Sequence, residues 1–412
     1  MSTGPDPDSP SGPADPDDDV PTMECEICRL DVPAGKFCGL CGGHLTPQHG
    51  DGPWWLRLRA YSAAPGENVF TLSLTSSLFP QLPERSRIPF RIGLIVLLVV
   101  LTACTVLRLP AALITVAALG LPVMFLIYLQ ESDAFRDLPV RTLALTVTLG
   151  IALGVGWVLL TGAMVARSYG VPLGTGIAGT RILREGLGIP IGGMLLMLVP
   201  ALVVRMTRPA NRESLQGFAI GALGALTFTA AATITRLAPQ FSAGMIARNR
   251  PMPGLIVEAG IRGIAVPLTA AAVGGLIGAA LWFTRPANKT HQHRSYVRFI
   301  MLGTGLAVIL LYAGLGLIDV ARAPQILQLF VHLAAALLAI LVLRLGLQLA
   351  LLHEAHDEIR SDAPMLCPNC GHVVPDMAFC PACGVATRAS SQSSRHARRE
   401  VRPVRTTRPD SP

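Results

Sequence analysis

Residues 88–107 read IPFRIGLIVLLVVLTACTVL, an apolar run whose one charged residue is Arg91. An α-helix rises about 1.5 Å per residue, so about twenty apolar residues are needed to cross a hydrocarbon core of about 30 Å. This run meets that length, and seven more follow it: Ala111 to Gln130, Thr142 to Ala166, Leu187 to Met206, Leu215 to Ile234, Ile264 to Phe283, Phe299 to Ile318, and Ile326 to Leu343. Composition agrees, because 51% of the chain is hydrophobic, only 15% is charged, and mean hydropathy is +0.50. These values exclude an ordinary water-soluble domain and predict an all-α polytopic membrane bundle of about eight transmembrane helices.

Two copies of one cysteine pattern bracket this body. Cys25-x-x-Cys28 and Cys38-x-x-Cys41 lie near the start, Cys367-x-x-Cys370 and Cys380-x-x-Cys383 near the end, with nine residues between the pairs in both sets. Each set supplies four thiolates, the number that closes a tetrahedral Zn²⁺ shell and leaves no open position for water. The expectation is therefore two structural zinc sites, with metal binding supplying the folding energy of segments too short to bury a core. A thioredoxin-type redox reading fits less well, since that chemistry uses one pair after a strand. A rubredoxin-like iron site is the other alternative. Gly42, Gly371 and Gly384 follow the second cysteine of three knuckles, where positive φ lets the backbone turn. Arg29 holds that position in the fourth, making the first ribbon the less regular. Phe37 and Phe379 stand in matching register before Cys38 and Cys380, each expected as a small core under its own metal.

An even number of spans places both ribbons on one side, and reduced thiolates point to the cytosol. Loop arginines and lysines divide nine to eight between the two faces and do not orient the chain. Arg85, Arg87 and Arg91 before the first span, with Arg344 and Arg360 after the last, favour cytosolic termini. The chain opens with proline, serine and aspartate, not with the basic and apolar stretches of a secretory signal. A bacterial plasma-membrane location follows as the expectation.

The remaining divisions come from composition. Residues 1–22 form an acidic tail expected to be disordered, 23–46 the first ribbon, and 47–87 a linker read as short strands or a surface-lying segment. The spans occupy 88–344, an amphipathic helix 345–362, the second ribbon 363–386, and a basic tail 387–412 the end. That last tail holds seven arginines from Arg388 onward and is expected to be disordered. It is either a solvated tail or one that meets anionic lipid or nucleic acid. Glycines of spans four to six, including Gly192, Gly217, Gly221, Gly274 and Gly278, predict close helix packing there.

Ionisable groups near a bilayer are costly to bury and mark candidate chemistry. Four groups qualify: Glu131 and Asp133 with Arg136 and Asp137; Arg181, Arg184 and Glu185; Glu258 with Arg262; and Asp319 with Arg322. Glu185, Glu258 and Arg262 are the intramembrane candidates, the last two sharing one helix face at the start of the sixth span. His332 is read as a packing histidine. The G-x-G-x-x-G match at Gly174, Gly176 and Gly179 follows no strand and is set aside. His353-Glu354-Ala355-His356 is one residue short of a zincin motif. Asn288-Lys289-Thr290 carries no meaning in a cytosolic loop.

The segments LPVMFLIYLQESDAFRDLP, RILREGLGIP, GFAIGALGALTF and RGIAVPLTAAAVGG, from Leu121 to Ala280, together resemble PrsW-type intramembrane proteases. The resemblance implies a site built on a glutamate pair, a further glutamate and a histidine. Here Arg184-Glu185 stands at the pair, Gly188 at the following basic residue and Ala232 near the third glutamate, and Val266 to Thr269 has no histidine. Any kinship thus implies a scaffold without the family's catalytic set. CPNCGHVVPDMAFCPACG resembles the zinc ribbons at the ends of many bacterial membrane proteins. The whole chain resembles actinobacterial membrane proteins described only as zinc-ribbon proteins.

Three functions remain open from sequence. The leading one is a non-catalytic scaffold or regulatory membrane protein whose cytosolic zinc ribbons bind a protein partner or each other. A PrsW-like intramembrane protease and a transporter are the alternatives.

Overall fold

The computed structural model describes residues 21–46, 60–64, 67–70, 73–80, 82, 84–169, 184–207, 212–241, 252–284, 296–320, 324–354, 360–367 and 369–400. The acidic tail through residue 20, the G-x-G-x-x-G match, Asn288 and the last twelve residues lie outside these, as do the side chains of Arg181, Asp319 and Arg322.

Two short hairpins and a helical bundle make up the described chain. The first hairpin pairs β1 (Thr22–Glu24) with β2 (Asp31–Pro33), both antiparallel. A short helix α1 (Leu74–Leu78) precedes α2 (Glu84–Val106) and α3 (Pro110–Glu131). The single turn α4 (Ala134–Asp137) leads into α5 (Val140–Tyr169). Next come α6 (Arg184–Met206), α7 (Ser214–Leu237), α8 (Pro253–Trp282), α9 (Tyr296–Val320) and α10 (Gln325–His353). The second hairpin, β3 (Arg360–Leu366) with β4 (Val373–Asp376), is followed by α11 (Gln392–Glu400). Eight of these helices, α2, α3 and α5 to α10, are long and apolar enough to cross a membrane.

Helices α7 and α8 form the centre, being 89% and 83% buried over their apolar windows where the other six range from 22% to 50%. Small residues allow this approach. A Cβ on Gly221 would stand 2.0 Å from the carbonyl oxygen of Gly274, and one on Gly278 would stand 2.1 Å from that of Gly217. Any side chain at these positions would drive the two backbones apart. The outer helices turn Ile92, Ile95, Val99, Phe299 and Phe330 outward as an exposed apolar belt.

Four features differ from the sequence expectation. Helix α8 begins well before Ile264, so Glu258 and Arg262 lie inside it and not at its start. Helix α10 runs past Leu343 to His353, which places Arg344 within the bundle, fully buried, and removes it from the flanking charge count. The helix expected over 345–362 ends at His353, and β3 replaces its far end because that segment pairs with β4. Much of the described part of the 47–87 linker is buried core: Tyr61, Ala63, Val69, Leu78 and Phe79 are each at most 3% exposed, while Phe70 and Leu74 stay exposed. The run Trp54 to Arg59 lies outside the described residues.

The basic C-terminal segment also carries structure where disorder was expected. Arg395 of α11 is 1% exposed, pairs with Glu213 just before α7, and donates 2.7 Å to the Ser390 carbonyl. Arg399 makes a two-pronged pair with Asp376 of β4 at 2.8 and 3.1 Å. Asp137, after α3, accepts the backbone N–H groups of Gln392 and Ser393 at the first turn of α11. Three partners for one short helix outweigh the repulsion among its arginines.

Candidate functional site

Each cysteine set closes into a compact cluster whose four sulfurs all lie within 4.8 Å of one another. The cross-pair distances are 3.7 Å for Cys25–Cys41, 3.8 Å for Cys28–Cys38, 3.8 Å for Cys367–Cys383 and 3.9 Å for Cys370–Cys380. A tetrahedron of thiolates about 2.3 Å from a central Zn²⁺ has edges of about 3.8 Å. The donor set and its spacing thus fit a four-thiolate metal site, and both clusters could hold an ion.

The knuckles share one construction. In each, the residue after the second cysteine donates its N–H to the carbonyl of the first: Arg29 to Cys25, Gly42 to Cys38, Gly371 to Cys367 and Gly384 to Cys380. All four have positive φ, at 56°, 70°, 71° and 72°. Arg29 therefore holds a left-handed conformation that a Cβ disfavours.

The two ribbons join to each other. Lys36 and Phe37 donate their N–H groups to the Pro381 carbonyl at 3.0 Å each, and Phe379 donates to the Gly39 carbonyl at 2.8 Å. Phe37 and Phe379 do not sit as separate cores under their own metals. Phe37 covers Gly384 of the second ribbon, whose Cβ would come within 2.8 Å of its ring. Phe379 covers Gly42 of the first at the same 2.8 Å. The positive-φ glycines are thus also the seats of the opposite phenylalanines, and the contact is reciprocal.

This double ribbon is fastened to the bundle. Ala386 donates to the Ser62 carbonyl at 2.9 Å, and Ser62 donates to Gln348 of α10 at 2.8 Å. One turn earlier on α10, Arg344 donates to Glu67 at 2.9 Å, to the carbonyls of Val69 and Asn68, and to Ser76 and Ser77. Just past α10, Glu354 is 1% exposed and accepts from the Ser214 N–H at 2.8 Å and its hydroxyl at 3.1 Å. Burial pushes its carboxyl up to about 7 despite those bonds.

At the far end of the bundle, where α6, α8 and α10 begin and α7 and α9 end, two connected cavities open. The inner one, about 270 Å³, is lined by Glu185, Arg236, Arg262, Tyr312 and His332 among apolar groups. The outer one, about 400 Å³, shares Arg236, Arg262, Tyr312 and His332 and adds Glu258. All three intramembrane candidates from the sequence converge here. Arg184 pairs with Glu185 at 3.4 Å and Arg262 with Glu258 at 3.7 Å. The Nδ1 of His332 lies 2.8 Å from the Gln328 carbonyl and donates to it. Ala232, at the position near a third family glutamate, lines the inner wall.

Sequence reading missed Arg236 and Tyr312. It also missed a repeated hexapeptide: Glu185-Gly-Leu-Gly-Ile-Pro190 and Arg262-Gly-Ile-Ala-Val-Pro267. Both copies begin in π-helical segments, Arg184–Gly188 and Ile261–Ala265, that pass into α-helix at the proline. Proline lacks the N–H for the i−4 carbonyl and its ring presses on that carbonyl, so the preceding turn widens. The repeat places Glu185 and Arg262 at equivalent points of two widened turns on one cavity. The remaining charge cluster is dispersed: Glu131 accepts from Ser86 at 2.8 Å, and Asp133 pairs at 3.8 Å with an exposed Arg136. His353 hydrogen-bonds the Leu349 carbonyl, and His356 lies outside the described residues.

Comparison with protein families, with curated proteins and with solved structures finds no match to this chain. Function therefore rests on the sites themselves.

Proposed function

We propose that the chain is a multi-pass integral protein of the bacterial plasma membrane with cytosolic termini, and that its double ribbon, loaded with two Zn²⁺ ions, is a non-catalytic head that binds a protein partner. The reciprocal seating of Phe37 on Gly384 and Phe379 on Gly42 carries this reading. It turns two marginal metal knuckles into one rigid surface, and rigidity lowers the ordering cost of recognition. Leu30 and Val373 are exposed on that head at 54% and 57%, as an apolar contact surface requires. Membrane residence is supported by eight apolar helices with an outward apolar belt, which a bilayer solvates and water does not. The cytosolic side is supported by eight thiolates that an oxidising compartment would pair.

Affinity capture of the intact protein in detergent tests the reading. Partners should be retained by the native head and lost both from a version with all eight ribbon cysteines changed to serine and from Leu30→Asp with Val373→Asp, which leaves the metal ligands intact. A partner set unchanged in both would defeat it.

The convergence of Glu185, Glu258, Arg262 and His332 on one cavity favours a second reading, a PrsW-like intramembrane protease. Processing of a membrane substrate that stops in Glu185→Gln and Glu258→Gln but survives loss of the ribbon cysteines would select it over the scaffold.

A further inference from the structure

The cavity at the far end has a charge balance that neither reading uses. Its two carboxylates already have partners, Glu185 in Arg184 and Glu258 in Arg262. Arg236 also points into both chambers, yet among the described residues no carboxylate stands within ion-pair distance of it. Arg262, Tyr312 and His332 line both chambers with it. Arg236 is exposed at this end of the bundle and the Arg262 side chain is 31% exposed, so both guanidiniums are open to a ligand whose negative charge they would share. Guanidinium is also the side chain best shaped to hold a planar or tetrahedral oxyanion through paired N–H donors.

The inner chamber continues away from this charge along Trp157, Met194, Met197 and Phe228. That wall has no use for water but suits an alkyl chain, with methionines that adapt to its shape. The two chambers together reach the size of ordinary small-molecule sites. Their polar end lies where α8 and α10 begin, and their apolar end runs toward the middle of the helices. A lipid-like molecule entering from the membrane would take this orientation.

We infer that the cavity between the widened turns of α6 and α8 binds an amphiphile with an oxyanion headgroup, Arg236 and Arg262 holding the head and Trp157, Met194, Met197 and Phe228 lining the path of the tail. The headgroup chemistry is shared by acidic phospholipids and free fatty acids. The site lies at the opposite end of the bundle from the double ribbon, so it is separate from the proposed recognition surface.

Trp157 supplies a direct readout. The purified full-length protein is placed in nanodiscs of zwitterionic phosphatidylcholine doped with a small fraction of chain-brominated phosphatidic acid, brominated fatty acid, or brominated phosphatidylcholine. Quenching attributable to Trp157, taken as the difference from Trp157→Phe, should be strong with one or both acids and weak with the zwitterionic lipid. Which acid quenches identifies the source. Arg236→Gln should weaken the acid effect about tenfold or more, as loss of a charge-assisted contact does, whereas Arg236→Lys should retain most of it. Arg136→Gln, an exposed arginine outside the cavity, should change nothing. In the native protein alone, unbrominated acid should restore the fluorescence and unbrominated phosphatidylcholine should not. Equal quenching by all three brominated lipids, or full quenching in Arg236→Gln, would overturn the inference.

Discussion

The guanidinium of Arg344 lies 3.9 Å from the centroid of the Tyr61 ring, both side chains fully buried. A cation inside a bundle is costly unless every donor is used, and here the stacked ring, Glu67, two serines and two carbonyls use them. The result is that one side chain ties Glu67, Asn68, Val69, Ser76 and Ser77 to α10. Replacing Arg344 with methionine leaves Glu67 with the Ser76 hydroxyl and, as its one ion pair among the described residues, Arg91 at 3.8 Å. Thermal unfolding in detergent should show a loss of about 3 kcal/mol, the usual cost of removing one member of a buried pair. Arg344→Lys should recover little of it, because an ammonium cannot stack or reach this set of acceptors.

Metal removal should act on both ribbons together. The full-length protein should bind two zinc ions, and serine at Cys367 and Cys370 should remove one. Because Phe379 covers Gly42, loss of the second ribbon should also speed chelator-driven zinc release from the first, measured with a metallochromic dye. Unchanged release would mean that the ribbons fold independently.

The knuckle glycines separate two physical effects. Gly371 has a φ of 71° but open space around its Cβ direction, so Gly371→Ala should lose only the left-handed strain, about 1 kcal/mol. Gly384→Ala meets the same strain and must also displace Phe37, so it should cost clearly more and loosen the first ribbon in amide hydrogen exchange. Arg29→Gly should do the reverse and stabilise its knuckle by about 0.5–1 kcal/mol. The ion pair of Arg29 with Glu24, at 3.7 Å between exposed side chains, offers little to offset that gain.

These knuckles show what sequence could and could not reveal. Spacing of cysteines and the residue after each second cysteine have a local cause, so the metal clusters and the four left-handed positions could be read directly. Helix count followed equally from run length. The partner of Phe37, by contrast, is Gly384, and the partner of Arg395 is Glu213; no local rule links residues so distant. Arg344 was read as a flanking charge because an arginine after an apolar run normally marks the water boundary. Its acceptors lie in a segment whose alternating apolar positions read as short strands or a surface-lying stretch. Arg236, two residues past the apolar run that ends at Ile234, reads as a loop charge for the same reason. The two widened turns that share its cavity have their cause, Pro190 and Pro267, in the chain as a repeat at long spacing.

Glu354 gives the protein a pH dependence of definite sign. Its carboxyl titrates at about 7 in the fold, raised by burial from an ordinary value of 4.5. Between those limits the folded state binds the proton more tightly than the unfolded chain. Its contribution is therefore complete below pH 4.5, declines as pH rises, and is gone once pH passes 7. The size of the change is about 3 kcal/mol across that window. Glu354→Gln keeps an acceptor for Ser214 without a charge to bury, so its unfolding temperature should fall less than that of the native protein between pH 5 and 8, as measured by scanning fluorimetry.

Helix α11 ties the head to the bundle through three separate carboxylates, and this predicts how a truncation behaves. Ending the chain before Ser390 removes Arg395 from Glu213, Arg399 from Asp376, and two backbone donors from Asp137. The cysteine clusters lie upstream of the cut, so both zinc ions should remain bound. Glu213, 9% exposed, would be left without its arginine, and the start of α7 should become less stable by about 3 kcal/mol. Hydrogen exchange should therefore rise at the first turn of α7 and across β4 while the knuckles keep their protection. Protection lost at the knuckles as well would show that α11 holds the ribbons themselves, not only their attachment.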